Sequence, residues 1–267
     1  MLVNDRCANC DRAIDGADQK FCPACGQPTP AHRIDWHFLG HELEHSVLHM
    51  DRGILYTLKN LMLRPGHLIR DYIDGRRADH VKPLLLTMIS AAFVVFLTNR
   101  LMDGDVLGEA FFRGFTDATS RNGAEGKFDP GPIFAALEAV NAWTNHHYAA
   151  VTLMLLPLEA LAFKLAFWRW RNLNYPEWLV ITAYVNAQAL IVWGLSIPLQ
   201  RWFPGTIVWV MWVMIGYGTF SLVQFFSEQP RWKTMLRAML GFGLYLFVNA
   251  VLTVVVALVM FMMSRHA

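Results

Sequence analysis

Five apolar stretches, at 81–101, 148–168, 178–199, 206–226 and 236–262, constrain this chain more than any other feature. A helix needs about 20 residues to cross the hydrocarbon core of a bilayer, and each stretch reaches that length, the last with enough excess to tilt. Inside a bilayer no water bonds the backbone, so such stretches fold as helices that satisfy their own N–H and C=O groups. Composition agrees, with 55% hydrophobic and only 16% charged residues. The predicted fold is an all-α polytopic membrane protein of about five transmembrane helices, carrying a small N-terminal zinc ribbon and amphipathic interfacial helices. Its parts are a ribbon at 1–30, cytoplasmic amphipathic or interfacial helices at 31–80, and a transmembrane helical domain at 81–267 with a periplasmic loop at 102–147.

All four cysteines precede residue 26, as Cys7-Ala-Asn-Cys10 and Cys22-Pro-Ala-Cys25. Two such pairs supply four thiolates to a tetrahedral zinc, and a fragment this small has no core of its own to fold around. Four cysteine ligands leave no open position, so the zinc is structural. Paired CxxC motifs of this kind belong to a reducing compartment. The opening MLVNDRCANC has no basic segment followed by an apolar one, so no cleavable signal peptide is expected. Around the cysteines Arg6, Arg12 and Lys20 are balanced by Asp5, Asp11, Asp15 and Asp18. The basic footprint of nucleic-acid binding is missing, and the ribbon reads as a protein-contact module. The formal net charge of +2 predicts no particular partner.

From Asp35 a helical stripe runs through Leu39, Leu43, Val47, Met50, Ile54, Leu58 and Leu61, with Asp51-Arg52-Gly53 as a potential break. Beside it His37, His41, His45 and His49 stack at intervals of four. Within that run His41, Glu42 and His45 match HExxH, two metal ligands and a general base. No third ligand follows in a zincin pattern. A metallopeptidase, a non-catalytic metal or pH-responsive face, and a solvated helix face are the open readings.

The next segment, RPGHLIRDYIDGRRADHVKP at 64–83, joins the soluble part to the first span. Arg64 precedes a proline and leaves helical geometry, Pro65 starts a new helix, and Gly75 fits the position past its end. Leu68, Ile69, Tyr72 and Ile73 share one face, so the helix is expected to lie in the headgroup layer. Arg64, Arg70, Arg76, Arg77 and Lys82 either hold anionic lipid or simply flank the span, as cytoplasmic basic residues do.

The order CxxC, FCxxCGQ, then RPGxxIRxYIxGxR and a proline before the first span resembles a bacterial family of zinc-ribbon, multi-pass membrane proteins classed as a domain of unknown function. The matching residues are Cys7, Cys10, Cys22, Cys25, Gly26, Gln27, Arg64, Pro65, Gly66, Ile69, Arg70, Tyr72, Ile73, Gly75, Arg77 and Pro83. The resemblance implies a bacterial inner-membrane protein and no activity. It also implies an aromatic side chain where His80 stands here.

Orientation follows from the basic residues. Arg76, Arg77 and Lys82 precede the first span, Arg169 and Arg171 follow the second, and Arg231, Lys233 and Arg237 precede the fifth. Placing all of them in the cytoplasm puts the N-terminus inside and the C-terminus in the periplasm. Trp168, Trp170, Trp178, Trp202 and Trp232 fall near span ends, as aromatic belts do. Glu159, Asn186, Gln188 and Asn249 lie mid-span. They read either as a polar site or proton route, or as hydrogen-bond glue between helices.

The leading functional reading is a non-enzymatic scaffold or regulator whose zinc ribbon contacts a protein partner. A transporter or lipid-handling protein using the site around Glu159 is the alternative. A membrane metallopeptidase built on His41, Glu42 and His45 comes third.

Overall fold

The computed structural model describes residues 6–14, 19–45, 53–102, 104, 131–170, 172–203 and 206–266. Among them nine helices follow one another, and no strand forms. The cysteine-bearing segment contains only single bridges, Arg6 with Ala13 and Phe21 with Pro28. Helix α1 spans Trp36–His45 and starts where the Asp35 carboxylate accepts from the Phe38 amide at 2.8 Å, a cap for an unpaired donor. Helices α2 (Ile54–Leu63) and α3 (Pro65–Ile73) are separated by Arg64 alone. Then come α4 (Pro83–Leu101), α5 (Gly131–His146), α6 (Tyr148–Ala166), α7 (Tyr175–Trp202), α8 (Thr206–Phe225) and α9 (Arg231–His266). Helix α5 occupies part of the stretch read from sequence as a loop. The rest of that stretch, 103 and 105–130, lies outside the described residues.

Five of these helices, α4, α6, α7, α8 and α9, are long and apolar enough to cross a membrane. The chain is an all-α polytopic membrane protein. Helix α7 is its axis: Trp178, Ile181, Tyr184, Ala187 and Leu190 are all buried, and α4, α6 and α8 pack against it. The Thr87 hydroxyl donates to the Ala183 carbonyl at 2.8 Å, joining α4 to α7 in the interior. Helix α9 packs on α5, α6 and α8 and turns Leu240, Phe247, Val255 and Met262 outward. Lipid suits that face as well as protein would.

One end of the bundle is sealed by aromatic rings. Phe167 and Phe226 stack with centroids 4.8 Å apart, and Trp170 and Trp178 pack on Phe167. Trp178, expected in a lipid-facing belt, is instead 2% exposed, whereas Trp168, Trp202 and Trp232 remain open. Belt and core tryptophans occupy the same span-end positions in a sequence, and only the neighbouring helices separate them.

Helices α2 and α3 form a hairpin against α8. Leu61, Leu68, Ile69 and Tyr72 are buried on its inner side. The Tyr217 hydroxyl donates to the Met62 carbonyl. The Gly66 amide donates to Gln224 Oε1 at 3.1 Å, and Arg70 donates to the Phe225 carbonyl and to Ser227 Oγ. Sequence periodicity lays α3 on the membrane surface, but its apolar face is taken up by protein. An amphipathic stripe fits lipid and a neighbouring helix equally well, so the pattern alone does not choose.

Candidate metal centre and membrane-embedded polar groups

The four cysteines come from two knuckles of matching construction. The Cys7 amide donates to the Arg12 carbonyl at 2.8 Å and the Asp11 amide to the Cys7 carbonyl at 2.9 Å; the Cys22 amide donates to Gln27 at 2.8 Å and the Gly26 amide to Cys22 at 2.9 Å. The residue after each second cysteine takes a left-handed conformation, φ 59° at Asp11 and 73° at Gly26, which turns the chain back sharply. The Sγ atoms of Cys7 and Cys25 lie 3.6 Å apart, as do those of Cys10 and Cys22, and all four fall within 4.8 Å of one another. A tetrahedral ion with metal–sulfur bonds of about 2.3 Å has sulfur–sulfur edges of about 3.8 Å, so the donor set fits. Amides of Ala24 and Cys25 pull the Cys22 thiol down to about 6, which favours the ligating thiolate. Burial pushes Cys25 the other way, to about 12.

The knuckles are seated on the segment that follows α3. Asn9 Nδ2 donates to Asp79 Oδ2 at 2.9 Å, and the Arg77 amide donates to Gln27 Oε1 at 3.1 Å. Arg77 then ties three elements together. Its Nε donates to the Tyr72 carbonyl and its Nη2 to the His32 carbonyl, both at 3.0 Å, while its guanidinium lies 4.4 Å from the Phe38 ring centroid. Gly75, at φ 102°, brings the turn under the knuckles; a Cβ there would stand 3.0 Å from Ala31 Cβ.

A second clamp reaches the bundle itself. Arg33 grips Glu177 with both prongs, at 2.7 and 2.8 Å, and Glu177 is buried near the start of α7. Glu177 also completes a capping box with Asn174, whose Nδ2 donates to the Ile34 carbonyl at 2.7 Å. The pairing with Glu177 holds the Arg33 guanidinium above its usual range. Sequence reasoning missed this clamp, although an asparagine three residues before a glutamate at a helix start is a legible capping signal.

His80 stands between the hairpin and α4, its ring 5.6 Å from that of Tyr56 and edge-on to it. Burial lowers its pKa below the ordinary value, against the opposing pull of Asp71 and Asp79 and of the Arg76 backbone. A histidine whose folded pKa is depressed binds its proton more readily when unfolded. Its contribution is therefore whole above the unfolded value of 6.5 and is lost as pH falls toward the folded one. Thermal stability measured in detergent should drop between pH 7.5 and 5.5 in the wild type, and the drop should shrink in His80→Phe. Equal drops in both proteins would assign the acid sensitivity elsewhere.

The mid-span polar residues separate into two groups. Asn186 donates to the Glu159 carboxylate, joining α7 to α6. Tyr245 and Asn249 stand one turn apart on α9, which packs on α6. Gln188 faces the other side of α7, where Ser221 on α8 donates to its Oε1 at 2.7 Å. Tyr245 and Ser221 escaped sequence reasoning because tyrosines and serines near span ends read as belt or packing residues.

Of the basic residues at 64–83, Arg70 and Arg77 are committed to internal carbonyls, and Arg76 lies 3.5 Å from Asp71. His41, Glu42 and His45 belong to α1 by backbone, but their side chains are outside the described residues, as are His49, Val47 and Met50. His37 is exposed.

No curated protein and no solved structure matches this chain. A family model described as "Protein of unknown function (DUF3667)" matches residues 51–95. The matched stretch takes in the α2–α3 hairpin, the seat of the knuckles and the first part of α4, and does not include the cysteines. What this chain is similar to is thus a family of unknown function, and the similarity is carried by its hairpin and first span.

Proposed function

We propose that this is a bacterial inner-membrane scaffold or regulator, with its N-terminus in the cytoplasm and its C-terminus in the periplasm. A zinc-held ribbon contacts a protein partner there. One observation carries the reading: the ribbon is clamped to the bundle through Arg77 and the Arg33–Glu177 pair, yet leaves Phe21 60% exposed. A module fixed this firmly passes a partner's position to the helices beneath it, and an apolar anchor in the open is what a partner's pocket takes. Cys7, Cys10, Cys22 and Cys25 would hold the zinc, which supplies cross-linking in place of a core and no chemistry at a substrate. Arg6 is paired with Asp11 at 2.9 Å, which argues for a protein rather than a nucleic acid. Positive flanks support the orientation. A photo-crosslinking residue at position 20 in living cells should yield one discrete adduct that Phe21→Ser abolishes. A metal-loaded, correctly inserted protein that gives no adduct would defeat the reading.

The Glu159–Asn186 contact favours a second reading, a transporter or lipid-handling protein with a polar site between α6, α7 and α9. An acid at this depth is retained either for function or for helix association. Glu159→Gln keeps the shape and hydrogen-bonding capacity. Unchanged cellular phenotype with a lower melting temperature assigns it to association; lost phenotype with unchanged melting assigns it to function.

A further inference from the structure

The hairpin of α2 and α3 enters the layer that α8 spans. Helix α2 starts level with the beginning of α4, since Thr57 Oγ1 accepts from the Val81 amide at 2.9 Å, two residues before Pro83. It ends beside Tyr217, whose hydroxyl meets the Met62 carbonyl. Tyr217 lies eight residues before the end of α8 at Phe225, and Gly66 at the tip meets Ser221, Gln224 and Phe225 in its last turn. Helix α3 then climbs back along α8, from Gly66 at Ser221 and Gln224 to Arg70 at Phe225 and Ser227. Such a re-entrant pair is tolerated where protein satisfies its backbone, as Tyr217 and Gln224 do here. Its outer face carries Leu55, Tyr56 and Leu63, all exposed, which acyl chains suit, with the exposed Lys59 between them as a second basic group for a headgroup.

Arg64 sits at the tip of this hairpin, exposed. Its Nη2 donates to Asn60 Oδ1 at 3.2 Å, and among the described residues no carboxylate pairs with it. His67, one turn further on, is exposed as well. An exposed guanidinium beside the end of a spanning helix calls for an anion, and its planar fork matches phosphate oxygens. Arg70, Arg76 and Arg77 have the internal partners described above, which leaves Arg64 as the arginine of this motif whose fork still faces outward.

We propose that the tip of the α2–α3 hairpin binds the phosphate of a lipid headgroup, with Arg64 as its anchor and Asn60 and His67 beside it, while the lipid's chains lie along Leu55, Tyr56 and Leu63. This proposal does not depend on the ribbon's partner or on Glu159.

The test is native mass spectrometry of the full chain released from nanodiscs of phosphatidylcholine with a minor share of phosphatidylglycerol. Parallel samples replace the phosphatidylglycerol by diacylglycerol or add inorganic phosphate. The wild type should retain phosphatidylglycerol and not diacylglycerol. Arg64→Gln should lose that retention about tenfold, and Arg64→Lys, which keeps the charge without the fork, should fall between. Circular dichroism and melting of each variant report its fold, and Arg64→Lys supplies the comparison should Arg64→Gln fail to fold. Equal retention by wild type and Arg64→Gln, or equal retention of diacylglycerol, would overturn the proposal. Displacement of the lipid by millimolar phosphate would overturn the lipid assignment and make free phosphate the ligand.

Discussion

Chelating the metal, or replacing Cys22 and Cys25 together by serine, is expected to unfold the first thirty or so residues while the helix bundle stays intact. The reason is what lies inside the ribbon. Among the described residues before Ala31, only Cys7, Cys22 and Gln27 are buried. Two of the three belong to the four-cysteine cluster that could hold a metal ion, so a bound metal would be the core. Binding of a structural metal by such thiolate sets is worth on the order of 10–16 kcal/mol near neutral pH. A fragment with no apolar interior has nothing of that size to offset the loss. The contacts beneath it are polar and few: Asn9 with Asp79, Gln27 with Arg77. Limited trypsin digestion should therefore open Arg12, Lys20 and Arg33 after chelation, with far-ultraviolet circular dichroism almost unchanged. Readdition of the metal should restore protection to the wild type and not to the serine variant. Trypsin resistance that survives stringent chelation would show that the knuckles hold without an ion.

Replacing Gly66 by valine is expected to separate the hairpin from the bundle. Even the Cβ of alanine would stand 2.3 Å from Gln224 Cβ and 2.4 Å from both the Phe225 amide nitrogen and the Ser221 carbonyl oxygen. Two of these three atoms are backbone in the last turn of α8 and, unlike a side chain, cannot swing aside. Overpacking of an interior typically costs about 1–3 kcal/mol, and a clash against backbone belongs at or above the top of that range. Gly66→Ala should accordingly lose about 3 kcal/mol and Gly66→Val more, read as a fall in melting temperature in detergent. The donation from the Gly66 amide to Gln224 would go with it. Gly216→Ala provides the control, because an added Cβ there meets nothing within 4 Å. Equal behaviour of the two alanine variants would refute the close approach of α3 and α8.

Much of the architecture was legible beforehand, for definite reasons. A span must be long and apolar, so α4, α6, α7, α8 and α9 announce themselves by length alone. The ligands at Cys7, Cys10, Cys22 and Cys25 announce themselves by spacing. The hairpin did not, because α2 has ten residues, half of what crossing requires, and because an apolar stripe on α3 does not say what it touches. Gly66 carries no side chain and hence no signal of its own; only the atoms of α8 reveal why it must be small. Glu159 and Asn186 stood out by their depth, but which neighbour each would meet depends on how α6, α7 and α9 rotate about their axes. That rotation separated Gln188 from the others and sent it to Ser221. Arg33 looked like one more linker residue, since its partner Glu177 is 144 positions away.

That separation has a consequence for how the chain is made. A ribosome delivers the cysteines first and Glu177 much later, so the knuckles can load and close while α7 is still unwritten. Arg33 then waits through synthesis of two spans, α4 and α6, before Glu177 receives its guanidinium. The knuckles can therefore settle on Asp79 and Arg77 early, while the clamp on α7 closes late. A chain halted between residues 80 and 176 would carry a finger resting on Asp79 and Arg77 but not yet locked to α7.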